Sequence, residues 1–340
     1  MARLDRPAAP VPSDSLDHVT PPWPLTCPAC AAPLEATLKR ESPASSTSAG
    51  LQEHARTTVN NRASQRIELR RRESSPSALQ ALSCPAGHRF DAARQGYVNL
   101  LSGRGTRFTA DSAQMIMARE SVQDAGIFAA LSKELARILT QHLPQQAAAS
   151  PAEPALLLDC GAGTGHYLHQ LLEVVPQARG IALDLSTAGL KRAARHPRTL
   201  ALAWDLWQPL PLASDSVDLL LDIFAPRNVG EYARVLRPNG LAVVVTPGDS
   251  HLIELRSAGM LEVPGQKLHQ LQEQMTPSFG ALEQTTQVTA AVPVDAGLAA
   301  DLVFMGPAGH HHDYDTLRQS LQAREVSQVT VHLDVSLWRG

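Results

Sequence analysis

From about residue 155 onward, short apolar runs alternate with amphipathic segments. The apolar runs read ALLLDCG, GIALDLS, TLALAWD, VDLLLDIFA and GLAVVVTP. Helical periodicity between them begins near Tyr167, Ala188 and Val229. Strands that are continuously apolar and that alternate with helices belong to parallel sheets covered on both faces. The pattern therefore predicts an α/β fold with a doubly wound, Rossmann-like sheet.

Two more helices are predicted just before this sheet. Asp111 or Ser112 is suited to cap the first helix, and the second runs from about Gly126 to His142 with an apolar stripe along one side. We assign this helical lead-in, residues 111–143, to an α/β domain that spans 105–340. Its apolar stripe is expected to pack into the core.

Composition sets two other stretches apart. Residues 1–22 are polar and rich in Pro, and residues 39–78 are rich in Ser, Arg and Gln with few aliphatic residues. Such segments bury too little apolar surface to offset the entropy lost on ordering. We predict a disordered tail over 1–22 and a disordered insertion of about 39–78 within an N-terminal module that spans 23–104.

That module carries three of the four cysteines. Cys27 and Cys30 lie in CPAC, and Cys84 and His88 lie in CPAGH. Two such turns supply the four ligands of a tetrahedral Cys3His zinc site, whereas a redox dithiol or free thiols are the alternatives. The segment YVNLL that follows is predicted to be a strand that completes a zinc ribbon.

A glycine motif follows the first apolar run of the α/β domain. In LDCGAGTGHYL, Asp159 precedes Gly161, Gly163 and Gly165, and His166 stands where a dinucleotide fingerprint needs a small residue. The motif resembles the first motif of class I S-adenosylmethionine-dependent methyltransferases. Acids end the next two runs, in positions suited to the ribose hydroxyls and to the adenine edge: Asp184 and Asp205. The alternative is a turn whose glycines serve packing alone.

Charge and composition indicate which partners and which cellular location to expect. Residues 1–110 carry 14 Lys and Arg against 9 Asp and Glu, a surplus of +5, and the remaining 230 residues carry 16 against 24, or −8. The basic part either holds a polyanion or is a solvated polar segment. No apolar stretch reaches the roughly 18 residues of a membrane span, and the N-terminus lacks the apolar core of a secretory signal. We expect a cytoplasmic protein without membrane association.

Longer strings resemble the RlmA family of bacterial 23S rRNA (guanine-N1)-methyltransferases. They include CPAGHRFDAARQGYVNLL, DSAQMIMAR, LDCGAGTGHYL, FAPRN, LRPNG and TPGDSHLIEL, and together they reach from about Cys27 to Trp338. FAPRN and FMGP resemble the branch that contains the tylosin-resistance enzyme TlrB. The resemblance implies zinc at the Cys3His cluster. It also implies that S-adenosylmethionine is held by the glycine loop with Thr164 and His166, by Asp184 and His251, and by a ring at Phe128, where the family often has Tyr.

The resemblance implies N1-methylation of a guanine in a hairpin loop of 23S rRNA domain II, guanine 748, and resistance to tylosin-type macrolides. Removal of the N1 proton needs a base, and Asp222 and Glu254 are the candidates. 23S rRNA is the expected partner, and a homodimer is a further expectation. The alternatives are a small-molecule methyltransferase with a structural zinc ribbon and an inactive zinc-ribbon protein that binds RNA.

Overall fold

The computed structural model describes residues 23–38, 79–101, 105–147, 154–261 and 267–340. The predicted tail 1–22 and insertion 39–78 lie outside these ranges. The strands are β1 (Glu35–Leu38), β2 (Leu79–Ser83), β3 (Arg89–Asp91), β4 (Val98–Asn99), β5 (Leu156–Cys160), β6 (Arg179–Asp184), β7 (Thr199–Ala203), β8 (Val217–Ile223), β9 (Leu236–Pro247), β10 (Gln284–Pro293) and β11 (Gln328–Arg339). The α-helices are α1 (Ala113–Asp124), α2 (Ala129–Ala147), α3 (His166–Val174), α4 (Thr187–Ala193), α5 (Val229–Val235), α6 (Ile253–Ser257), α7 (Lys267–Phe279), α8 (Ala296–Phe304) and α9 (Tyr314–Ala323).

Eight strands form the main sheet, in the order β10-β11-β9-β8-β5-β6-β7-β4. Strands β5 to β9 run parallel, and β10 and β11 add an antiparallel edge. The order changes direction at β5, whose neighbours are β8 and β6. In open α/β sheets the ligand lies beyond the carboxyl ends of the strands at such a point. The predicted α/β class is therefore confirmed, and the loop after β5 lies at the switch point.

The helical lead-in folds as two helices, close to the predicted bounds. Ser112 rather than Asp111 caps α1, since its hydroxyl accepts a hydrogen bond from the Met115 amide at 3.2 Å. The second helix begins at Ala129, so Phe128 lies just before it rather than inside it. In α2 the apolar stripe is buried as expected, with Leu131 and Leu139 completely inaccessible.

The segment YVNLL departs from the prediction. Strands β1, β2 and β3 form a separate antiparallel sheet, but β4 pairs in parallel with β7 and becomes the edge of the main sheet. A bridge between Ala92 and Val98 and a hydrogen bond from the Ala93 amide to the Tyr97 carbonyl connect it to the N-terminal module. A short apolar strand pairs where its side chains become buried, and every residue of β7, its partner, is buried.

The N-terminal module packs directly on the α/β domain. Trp23, Leu25, Leu34 and Leu82 belong to the same buried apolar cluster as residues of β6 and β7, such as Leu200. Helices α1 to α4 pack into the cluster on the other face of the sheet. Burial of a large apolar side chain contributes about 1.5–3 kcal/mol. The module therefore supplies part of the covering layer that helices supply elsewhere in the sheet.

Candidate functional site

The four predicted zinc ligands come together in the N-terminal module. Their ligand atoms all lie within 4.8 Å of one another, although the two turns are more than fifty residues apart in sequence. Cys30 Sγ lies 3.6 Å from Cys84 Sγ, and His88 Nδ1 lies 3.3 Å from Cys84 Sγ and 3.6 Å from Cys27 Sγ. The cluster is formed by the β2–β3 turn and by the turn that precedes β1.

These separations match a tetrahedral zinc centre. With zinc–sulfur bonds of about 2.3 Å and zinc–nitrogen bonds of about 2.0–2.1 Å, two thiolates lie about 3.8 Å apart and a thiolate and an imidazole nitrogen about 3.6 Å apart. The donor set of three sulfurs and one nitrogen is typical of structural zinc. Cys27 and Cys84 are buried, and Cys160, the remaining cysteine, lies in β5 outside the cluster.

The glycine loop after β5 has the backbone that its sequence predicts. Gly161, Gly163 and Gly165 have positive φ values of 78°, 54° and 78°. A Cβ on Gly161 would lie 2.5 Å from the Cβ of Ala225, and a Cβ on Gly163 would lie 2.7 Å from Arg119 Nη1. The backbone conformation therefore disfavours a side chain at these three positions, and at Gly161 the Ala225 side chain also leaves no space for one. The loop forms a cradle of bare backbone, which fits a cofactor bound at close approach.

Asp184, the last residue of β6, and Asp205, which follows β7, lie beside this cradle. Asp184 accepts hydrogen bonds from the amides of Gly163 at 2.7 Å and Ser186 at 2.6 Å, one on each oxygen. Asp205 accepts from Thr106 Oγ1 at 2.8 Å and from the Trp207 amide at 3.0 Å. An ionised carboxylate has about four lone-pair sites, so each acid retains capacity for further donors. Both acids are thus oriented and still able to accept ribose hydroxyls or an adenine amine.

Two buried carboxyl groups lie at the cradle, and burial favours the neutral form of each. Burial raises the pKa of Asp159 to about 8, with smaller contributions from the negative charges of Asp184 and Asp222. Burial likewise raises the pKa of Asp222 to about 7, against the opposing effects of Arg227 and of a hydrogen bond from Tyr232. Each shift means that the ionised form is poorly compensated within the protein. A positively charged ligand would supply the missing compensation.

Three rings meet at the carboxyl end of β8. Phe128, which precedes α2, lies 6.1 Å from Phe224 and 6.2 Å from His251, between ring centroids, and Phe224 lies 6.1 Å from His251. Burial lowers the pKa of His251 to about 4, helped by His332 and Arg256, so its imidazole is neutral at physiological pH. Because His251 Nδ1 faces the His332 amide at 3.3 Å, the proton of the neutral ring lies on Nε2 and is available as a donor.

One continuous segment, residues 105–128, contacts every loop of this edge. Besides the Thr106 bond to Asp205, the Asp111 carbonyl accepts from Ser186 Oγ at 2.8 Å. Thr164 Oγ1 donates to Gln123 Oε1 at 2.8 Å. Sequence reasoning assigned Thr164 to the cofactor site but missed the residues above it, in particular Arg119, which lies over Gly163. The motif DSAQMIMAR was the only signal for Arg119, since its contact is tertiary.

The remaining predicted residues are placed as follows. His166 begins α3, its ring packs edge-on against Tyr167, and burial lowers its pKa. Asp222 is completely buried and accepts from Tyr232 Oη at 2.8 Å. Glu254 accepts from the Thr330 amide at 2.8 Å and from Thr330 Oγ1 at 2.6 Å, one bond on each oxygen. Asp222 Oδ1 has no hydrogen-bond partner, and Glu254 is partly exposed, so the role of either acid as general base stays a prediction.

Known families match both parts of the chain. A zinc-ribbon family model described as RlmA, N-terminal, matches residues 76–103, and a methyltransferase domain model matches residues 157–240. With the Cys3His cluster and the glycine cradle, these matches define a class I methyltransferase with an N-terminal zinc ribbon. S-adenosylmethionine and zinc are its cofactors. Within the described ranges, no helix is long and apolar enough to cross a membrane.

Curated relatives identify the family. The 23S rRNA (guanine(748)-N(1))-methyltransferase of Streptomyces fradiae is 39% identical over 77% of this chain and 92% of its own length. A protein of Micromonospora griseorubida that is named as a 23S rRNA (guanine-N1)-methyltransferase is 43% identical over 76% of this chain and 90% of its own length. The chain belongs to the family of 23S rRNA (guanine-N1)-methyltransferases. The resemblance in sequence motifs to this family is therefore confirmed.

Proposed function

We propose that this protein transfers a methyl group from S-adenosylmethionine to N1 of guanine 748 in a hairpin loop of 23S rRNA domain II. The observation that carries the proposal is the glycine cradle bordered by Asp184 and Asp205. The chain also matches a zinc-ribbon family model and is 39% identical to the enzyme of that name from Streptomyces fradiae. Methylation at that loop would confer resistance to tylosin-type macrolides.

The cofactor is assigned to the carboxyl edge of β5, β6 and β7. The backbone of Gly161 to His166 would hold the methionine part, Asp184 would accept the ribose hydroxyls and Asp205 would accept the adenine amine. Phe128 and His251 would close the site at β8, with His251 Nε2 donating to a cofactor carboxylate. The sulfonium supplies an activated methyl group. The carboxylates of Asp159 and Asp222 favour its positive charge.

The turn after β8 is assigned to the guanine. Guanine N1 carries a proton at neutral pH, so its methylation releases that proton, which Asp222 or Glu254 would accept. Arg227, 3.9 Å from Asp222 and 3.2 Å from Gln274, is the cation on this turn that would favour the anion of the base. Asp222 also orients Arg227 and Tyr232. Glu254 acts as a tether between α6 and β11 through Thr330.

The basic, zinc-bearing module favours RNA over a small molecule, and the complete cradle favours an enzyme over an inactive binding protein. Radiolabelled S-adenosylmethionine separates these three possibilities. Label should enter domain II hairpin RNA and should not enter a pool of small metabolites. A folded, zinc-loaded protein that binds the cofactor but labels neither would be the inactive RNA-binding form. A cytoplasmic location follows from an rRNA substrate, and the homodimer stays a prediction that light scattering measures.

A further inference from the structure

Phe224 combines two features that rarely occur together. It follows β8 directly, and its φ of 57° lies in the left-handed region, which is a genuine outlier for a bulky residue. Its side chain is nevertheless 42% exposed. The fold therefore maintains a strained backbone to hold an aromatic ring at the surface. Such strain persists only where the surroundings impose it, and it is concentrated at ligand sites.

The surroundings of Phe224 do impose it. The Phe224 amide donates to the Val245 carbonyl, and Tyr232 Oη donates to the Pro226 carbonyl at 3.1 Å. Asn228 Nδ2 donates to the Leu206 carbonyl at 2.9 Å, so the turn is fixed from β9, from α5 and from the loop after β7. The backbone conformation of this turn is thus imposed by hydrogen bonds to its neighbours.

The turn lies against the cofactor cradle. Ala225, the next residue, occupies the space that a Cβ on Gly161 would need. In the sheet order, β8 lies on one side of β5, whereas β6 and β7, which carry the ribose and adenine acids, lie on the other. The nucleoside end of the cofactor therefore extends away from Phe224. In the proposed site, the methionine part and the sulfonium would lie nearer to Phe224 than the nucleoside does.

We infer that Phe224 is the platform on which the target guanine stacks during methyl transfer. The inference rests on the proposed function and adds the residue that positions the base. A guanine taken out of its own stack loses a base neighbour, and an aromatic ring replaces that contact. Stacking also fixes the plane of the base, which an in-line displacement at N1 requires. Phe128 and His251 pack beside the ring and hold it in place.

A second exposed aromatic pair fits this role less well. Phe108 and Trp207 are stacked with centroids 6.2 Å apart and are 37% and 52% exposed. They lie next to Asp205 at the end of β7, which is three strands away from β8 in the sheet. That is the adenine end of the proposed cofactor site, far from the departing methyl group.

Four variants of Phe224 test the inference. Phe224→Gly keeps the left-handed backbone without strain and removes the ring, Phe224→Ala and Phe224→Leu remove the aromatic face, and Phe224→Tyr keeps it. The measurements are the melting temperature, the cofactor dissociation constant by calorimetry, and kcat and KM on domain II hairpin RNA. Val174→Ala, which trims a side chain 43% exposed at the far end of α3, is the matched control.

Loss of base stacking should lower kcat/KM about 5- to 150-fold in the Gly, Ala and Leu variants. Phe224→Tyr and Val174→Ala should stay within about 2-fold of the wild type. Phe224→Gly should melt at or above the wild-type temperature while it loses activity, which a merely structural ring would not do. Cofactor affinity should change less than about 2-fold.

Phe224→Gly with wild-type kcat/KM would overturn the inference. So would a loss of cofactor affinity as large as the loss of activity, because the ring would then serve the cofactor. Failure of the proposed function is a separate result: the wild-type protein itself would not label the RNA.

Discussion

Asp184 Oδ2 accepts a 2.7 Å hydrogen bond from the amide of Gly163, which joins the acid at the end of β6 to the glycine loop after β5. The same carboxylate receives the Ser186 amide on its other oxygen. One side chain thus sets the shape of the cradle and borders it. The acid and the glycines are a single unit, which is why a glycine motif and a strand-end acid occur together in the sequence.

Asp184→Ala should abolish tight cofactor binding. Two hydrogen bonds from ribose hydroxyls to a carboxylate contribute about 1.5–3 kcal/mol each, so the cofactor dissociation constant should rise more than about 100-fold. Calorimetry measures it. Asp218→Ala is the control, because Asp218 also accepts a buried backbone bond, from Leu156 at 2.7 Å, but at the opposite end of the sheet. RNA affinity should change less in either variant. An unchanged cofactor affinity in Asp184→Ala would show that this acid does not hold the ribose.

Cofactor binding should depend on pH through Asp159. Because its pKa in the folded protein is about 8, the neutral acid is favoured, and the stability it contributes is present at low pH and lost as pH rises toward 8. A cationic ligand favours the ionised form instead. Affinity for S-adenosylmethionine should therefore rise with pH up to about 8, by at most about tenfold per unit, with release of about one proton.

Calorimetry in buffers of different ionisation enthalpy measures that proton. S-adenosylhomocysteine, which lacks the sulfonium charge, is the matched ligand and should release less. Asp159→Asn should remove the difference between the two ligands. Equal proton release by both ligands with the wild-type protein would mean that Asp159 does not respond to the methyl-bearing charge.

One zinc ion per chain is expected in freshly purified protein. Cys84→Ala removes a ligand shared by the shortest contacts of the cluster and should release the metal. Hydrogen exchange should then increase over residues 23–38 and 79–91 while β5 and its neighbours stay protected. Cys160→Ala, which changes a cysteine outside the cluster, should keep zinc. Elemental analysis that finds no zinc in the wild type would refute the site.

The ends of the long insertion are adjacent in space. Leu38 stands opposite Leu79 in the antiparallel β1–β2 pair. A short Asn-Gly turn can join such strands, so replacement of residues 39–78 by that turn should preserve the fold and the zinc content. If the basic residues of the insertion contact RNA, the salt dependence of RNA affinity should become shallower. Aggregation or zinc loss in the shortened protein would assign the insertion a structural role.

Local sequence patterns predicted most of this fold. Strands β5, β6 and β7, and the helices between them, lie within a few residues of their predicted positions, because apolar runs and glycines act locally. The C-terminal strands β10 and β11 were not predicted from periodicity. Nor was the pairing of β4 with β7, since partner choice depends on which edge is open in three dimensions.

The candidate site was predicted unevenly for the same reason. Metal ligands and glycine loops can be recognised from their spacing in the sequence, whereas Arg119 contacts Gly163 only because α1 packs over the glycine loop. The role inferred for Phe224 could not be predicted, because the sequence FAPRN does not indicate that its phenylalanine has a left-handed backbone conformation. Asp222 was chosen as an acid at a strand end and Glu254 as an acid of the segment TPGDSHLIEL, and only the structure shows that they accept hydrogen bonds from Tyr232 and Thr330.

Primer extension tests the central claim most directly. A methyl group on N1 replaces the hydrogen that pairs with cytosine, so reverse transcriptase should stop one nucleotide before the modified guanine. On 23S rRNA treated with this protein and S-adenosylmethionine, we predict a new stop that marks guanine 748 and that is absent without the cofactor. A stop at guanine 745 would contradict the assigned target. Methyl label in the RNA with no stop would contradict N1 of guanine as the acceptor.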